Sequence, residues 1–163
     1  MSTVRTLTLA DAALPGVTAF RDLALVAGAS VLTALAAQVA VPLPGSPVPL
    51  TGQTFAVLLT GAALGARRAF LAQALYLAEG AAGLPVFAGG LGGAWLLAGP
   101  TGGFLLAFPL AAALVGALAE RGWDRRFATT LAAMLLGTGV ILLSGAAALA
   151  RLLPPGQALG AGL

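Results

Sequence analysis

The stretch PLPGSPVPLTGQT, residues 42–54, interrupts a chain that is otherwise almost continuously apolar. Pro42, Pro44, Pro47 and Pro49 place four prolines within eight residues. Proline fixes its own φ, offers no amide donor and drives the residue before it toward extended conformations, so this stretch is a stiff, non-helical connection. Long apolar segments flank it on both sides. In a lipid-embedded chain, irregular backbone survives only at the water interface or lining a polar cavity, which makes this loop the first candidate for a binding site.

Of the 163 residues, 60% are hydrophobic and 8% charged, with a mean hydropathy of +1.02, against about 25% charged in an ordinary soluble domain. This is the composition of an integral membrane protein. The net charge of +3 comes from eight arginines scattered among apolar spans, so no basic face for nucleic acid is assembled. There is no cysteine and no histidine, which removes thiolate chemistry, the commonest general base and the commonest metal ligand. The chain is not expected to be an enzyme, to hold a metal or to carry a cofactor.

Apolar residues run continuously instead of alternating over ten-residue segments, and Ala, Leu and Gly dominate. An all-α transmembrane bundle therefore fits better than a β-barrel. Segments long enough to approach a crossing of roughly 30 Å at about 1.5 Å per residue fall near residues 22–41, 51–66, 68–84, 103–119 and 127–150, two of them short. Residues 1–21 read as a cytoplasmic N-terminal lead and 22–163 as the transmembrane domain. With a cytoplasmic N-terminus, Arg5, Arg21, Arg67, Arg68, Arg121, Arg125 and Arg126 share one side and only Arg151 lies on the other, a seven-to-one bias of the positive-inside kind. The loop at 42–50, the Gly-rich segment 85–102 and the tail after Arg151 then meet at the outer face.

Helices two and four start at that face, each after a proline and each with a threonine, Thr51 and Thr101, placed to cap it. Their free amides and positive dipole ends would favour an anionic ligand; equally, both threonines serve as plain caps. Small-residue pairs, Gly61 with Gly65, Ala112 with Gly116, and Ala24 with Gly28, allow close helix approach in lipid. They serve either internal packing or, on helix one, docking of a separate membrane subunit. Pro109 is expected to kink helix four.

Polar residues inside the spans are few. Glu79 is a functional candidate because ionisable groups at membrane depth usually face a cavity, or else a carboxylate near enough to the interface to stay hydrated. Tyr76 and Gln73 lie one and two turns before it. Gln53 both donates and accepts, suiting an amide-like or urea-like ligand, or satisfies loop backbone. Phe87 and Trp95 flank the glycines around Gly90, where an aromatic lid competes with an interfacial-belt role. Arg151 pairs with a ligand carboxylate or anchors by snorkelling. The chain has no lysine and no GxxxxGK[ST] loop, so ATP is not bound here in the usual phosphate cradle. Uphill transport would draw its energy from another subunit.

These motifs resemble the BioY family, the biotin-specific substrate-binding components of energy-coupling factor (ECF) transporters. The resemblance is carried by Pro42 to Thr54, by GAALGARR at 61–68, by YLAEGAAGLPVF at 76–87, by Gly89 to Gly93 and by GPTGG at 99–103, in order. It implies six transmembrane helices with both termini cytoplasmic in a bacterial or archaeal plasma membrane, and biotin captured from outside. It also implies a membrane coupling subunit and two ATPases that power a rolling-over of this subunit. Thr51, Gln53, Tyr76, Glu79, Phe87, Gly90, Trp95 and Thr101 are then expected to line or shape the substrate site. Ala24, Ala27, Gly28 and Val31 on helix one are expected to meet the coupling subunit, Ala27 with Val31 being an imperfect copy of the family's AxxxA. The family continues into a last helix opened by a glycine–aspartate turn with a lysine one turn on, and the chain stops at Leu163 just before that point. Two other readings stay open: capture of another small vitamin, and a structural role in the membrane without transport.

Overall fold

The computed structural model describes residues 19–42, 44 and 48–152. The N-terminal lead up to residue 18, Leu43, Gly45, Ser46, Pro47 and the tail 153–163 lie outside the described residues. Among the described residues five α-helices follow one another: α1 (Ala19–Gln38), α2 (Gln53–Leu64), α3 (Ala66–Ala81), α4 (Gly102–Ala119) and α5 (Phe127–Leu152). The expected all-α bundle is present. Three helices, α1, α4 and α5, are long and apolar enough to cross a membrane, while α2 is a shorter apolar helix.

The expected boundaries shift by a few residues at each end of α1, and the cause is local. Val39 to Val41 leave the helix because Ala40–Val41 (β1) pairs antiparallel with Leu50–Thr51 (β2), Ala40 opposite Thr51 and Val41 opposite Leu50. The proline loop is thus closed at its foot by a two-stranded ribbon, which the Gly52 amide extends by bonding the Val39 carbonyl at 3.0 Å.

At the opposite end, Gly65 separates α2 from α3 with φ 79° and ψ 172°, a conformation that glycine alone adopts at little cost. Gly65 is therefore a hinge between helices and not, as the GxxxG reading expected, a member of α2. Gly61 and the Gly65–Ala66 turn still receive α4. A Cβ on Gly61 would stand 2.7 Å from the Ala112 carbonyl oxygen, and one on Gly116 would stand 2.4 Å from the Ala66 nitrogen. The close α2–α4 crossing excludes larger residues there.

α4 is the central helix, touching α2, α3 and α5. Of its span 61% is buried, against 17% for α1 and 22% for α5, so the core lies around α4 and the outer helices present apolar side chains outward. Val57, Ala69, Tyr76, Phe108, Ala111 and Ile141 meet in that core. α4 continues through the buried Pro109.

Candidate functional site

α3 ends as its sequence dictates. Gly83 adopts φ 99° and its amide bonds the Gly80 carbonyl at 3.0 Å, while the Leu84 amide bonds the Glu79 carbonyl at 3.2 Å. This is a Schellman closure, which glycine at that position makes possible. The chain then folds back over the helix end. Phe87 pairs with Leu91, and two 3₁₀ turns, Ala88–Gly90 and Ala94–Ala98, lead to α4. Gly90, at φ 70°, is exposed with open space beside it; its backbone conformation is what requires glycine.

Phe87 does not lie over an open mouth: it is 3% exposed, its ring seated on Gly80, where a Cβ would come within 2.1 Å of the ring. It meets Tyr76 edge-on, with ring centroids 5.5 Å apart and an interplanar angle of 83°. Such a pairing is favourable for aromatic quadrupoles.

A chain of hydrogen bonds joins the two irregular segments through this pair. The Thr51 hydroxyl donates to Gln53 Oε1 at 2.9 Å, Gln53 Nε2 donates to the Tyr76 hydroxyl at 2.5 Å, and that hydroxyl donates to the Val86 carbonyl at 3.0 Å. Gln53 and Tyr76 are both buried. Gln38, at the end of α1, donates to the Phe87 carbonyl at 3.3 Å. The foot of the proline loop and the start of the Gly-rich segment are thereby fixed to each other and to α1. Buried polar groups of this kind specify geometry because leaving any one unpaired is costly.

The capping role expected of the two threonines needs correction. The residue at the N-cap of α2 is Gly52, and Thr51 sits in β2 with its hydroxyl on Gln53. The ribbon has taken Thr51 out of capping position. Thr101 does occupy the N-cap of α4, but its backbone is helical, φ −84° and ψ −13°, and its hydroxyl makes no capping bond. A capping side chain needs an extended backbone to reach the next turn.

Thr51, Gln53, Tyr76 and Phe87 are thus brought together. Glu79 faces elsewhere: its Oε2 accepts from the Ser30 hydroxyl on α1 at 2.5 Å. Trp95 is 65% exposed on the second 3₁₀ turn, and Thr101 is half-buried at the start of α4. Arg151 is exposed in the last turn of α5. On α1, Ala24 and Gly28 are exposed, Gly28 with nothing within 4 Å of its would-be Cβ; Val31 is exposed and Ala27 half-buried. Sequence reasoning missed Ser30, Thr33 and Gln38. Their signal was available as the polar side chains inside an otherwise apolar first helix.

The sequence pattern of the BioY family matches residues 6–163. The biotin transporter BioY of Thermotoga maritima is 46% identical over 105 residues, 64% of this chain and 61% of that protein. The probable biotin transporter BioY of Pyrococcus horikoshii is 45% identical over 96 residues, 59% of this chain and 58% of that one. The chain thus spans about three fifths of the length of these relatives. Both are named as transporters, as the expectation of a non-enzyme requires. The fold is that of a crystal structure of the S-component for biotin from an ECF-type ABC transporter, with a TM-score of 0.76 at 24% identity, covering 90% of this chain and 83% of that one. By the match along nearly its whole length, the chain belongs to the BioY family.

Proposed function

We propose that this chain is the biotin-capturing subunit of a vitamin uptake transporter in a plasma membrane, taking biotin at the end of the bundle where the proline loop and the Gly-rich segment meet. The observation that carries the reading is the bonded series Thr51–Gln53–Tyr76–Val86, which holds two irregular segments in one place at one end of a helical bundle. A purely structural bundle has little use for such a device. Preorganised loops of this sort lower the ordering cost of binding and so favour tight capture of a small ligand. The names of the relatives supply the ligand, biotin.

Gln53 uses two of its four hydrogen-bonding capacities inside the protein, so its remaining donor and acceptor suit the ureido group of the ligand. Tyr76 and Phe87 hold Gln53 and the loop; Thr51, Gly90, Trp95 and Thr101 shape the surrounding mouth, while Glu79, expected there, is turned to Ser30 on α1. A membrane coupling subunit and two ATPases supply the energy, and the outward side of α1, with Ala24, Gly28 and Val31 exposed and Ala27 half-buried, receives the coupling subunit. Isothermal titration of the purified full-length protein with biotin tests the reading. Submicromolar affinity is expected, and micromolar or weaker binding overturns it.

A further inference from the structure

α1 has two unlike sides. Ala24, Gly28, Val31 and Leu35, three or four residues apart, are exposed. The other side carries hydroxyls and an amide that bond across to α3 and its loop: Ser30 donates to Glu79 Oε2 at 2.5 Å, Thr33 accepts from Gln73 Nε2 at 3.1 Å, and Gln38 donates to the Phe87 carbonyl at 3.3 Å. Ser30, Thr33 and Gln73 are each 0% exposed. Thr33 further donates to its own helix at the Ala29 carbonyl, 3.0 Å, and Gln73 Oε1 is buried without a partner. The middle of the seam, at Ser30, Thr33 and Gln73, is buried and not fully satisfied, so its geometry is held by a few specific bonds.

Apolar helix faces in lipid slide past one another with little change in energy, because the lipid tails are as apolar as the faces themselves. A polar seam does not, since a displaced hydroxyl must find its acceptor again or leave it unpaired. Glu79 is also where this matters: its carbonyl accepts the Leu84 amide that ends α3, and the next residue, Gly80, is the seat of Phe87. A displacement of α1 therefore pulls at the residue from which the loop departs.

We propose that the α1–α3 polar seam transmits docking on the outward side of α1 to the ligand-binding loops, with Ser30 and Thr33 as positioning residues. The inference rests on the proposed function, in which α1 receives the membrane partner. Coupling between two sites requires an element with discrete arrangements that both sites bias, and in this proposal the made and broken states of these few bonds supply them.

The test compares biotin affinity of the full-length protein in lipid discs, alone and assembled with its coupling subunit and ATPases. In the unmodified protein, assembly is expected to change affinity at least about fivefold, the lower end of ordinary allosteric coupling. Ser30→Ala and Thr33→Val should leave the affinity of the protein alone within about threefold, the average worth of one interhelical bond, while bringing the assembled-to-free ratio toward one. Ser30→Thr and Thr33→Ser, which keep a hydroxyl, should restore the ratio; loss of packing alone would not be rescued in this way. A ratio unaffected by both hydroxyl deletions overturns the proposal, as does an unmodified protein whose affinity ignores assembly. Failure of the unmodified protein to bind biotin at all overturns this inference together with the function beneath it.

Discussion

On α4, Ala112 is buried and a single carbon added to Gly116 would collide with the Gly65–Ala66 turn, whereas Ala24 and Gly28 on α1 have the same spacing and are exposed among the described residues. Both pairs read alike in a sequence. The difference comes from position in the bundle: α4 is central and its small residues are consumed by internal contacts, while α1 is peripheral and its small residues are not covered by any described part of the chain. The largest expected effect separates the two. Gly116→Leu should lower stability by about 3 kcal/mol or more, through overpacking against backbone that has nowhere to go. Gly28→Leu should not lower it, since leucine is the better helix former by roughly 0.8 kcal/mol and finds open space, yet it should abolish assembly with the membrane partner. Thermal unfolding in detergent and co-purification read the two effects separately. Equal destabilisation by both substitutions would mean that α1 is covered after all.

The two ends of the bundle differ in the same spirit. Where α2 turns into α3, glycine geometry and a Glu120 carboxylate that accepts the Ala66 amide at 2.9 Å make a compact joint. At the other end, the loops are held by side-chain hydrogen bonds. Tyr76→Phe removes both the acceptor for Gln53 Nε2 and the donor to Val86 without altering the shape of the ring. The expected cost, about 1–3 kcal/mol for buried groups left unpaired, falls on the loops. Biotin binding should weaken about tenfold or more, and the unfolding temperature should fall by about 2–4 °C per kcal/mol lost. Unchanged affinity would show that the loops keep their place without this hydroxyl.

The helices were legible because long apolar runs broken by glycine and proline leave few alternatives: Gly65 and Gly83 mark the two ends of α3, and the proline loop was non-helical on steric grounds alone. The ribbon at its foot was not legible. Two-residue strands carry no periodic signal, and Val39 to Val41 read equally well as the end of α1. In the candidate site, Gln53 and Tyr76 stood out as polar groups in an apolar chain, but their partnership spans 23 residues and depends on how α2 and α3 pack. The partner of Glu79 was hidden for the same reason. Ser30 lies 49 residues away, on a helix whose orientation about its own axis the sequence does not state. Phe87 read as a lid because its glycine neighbours suggested a surface loop; the missing side chain at Gly80, which makes room for its ring, lies seven positions earlier.

The smallest expected effect concerns Thr101. A threonine after a proline at the start of a helix ordinarily contributes about 0.5–2 kcal/mol as a cap, yet the Gly102, Phe104 and Leu105 amides at the start of α4 find carbonyls instead. The Gly102 amide bonds the Gly99 carbonyl at 3.0 Å, and the Phe104 and Leu105 amides both bond the Thr101 carbonyl at 3.1 Å. Tight turns of the 3₁₀ type satisfy helix ends without side chains. Thr101→Ala should therefore change stability by no more than about 0.5 kcal/mol, as at an ordinary surface position. A loss of about 1 kcal/mol in thermal unfolding would place the hydroxyl back on the helix end. Weaker biotin binding at unchanged stability would place it in the mouth of the site, with the Phe104 amide already bonded to the Thr101 carbonyl and the hydroxyl left to meet the ligand.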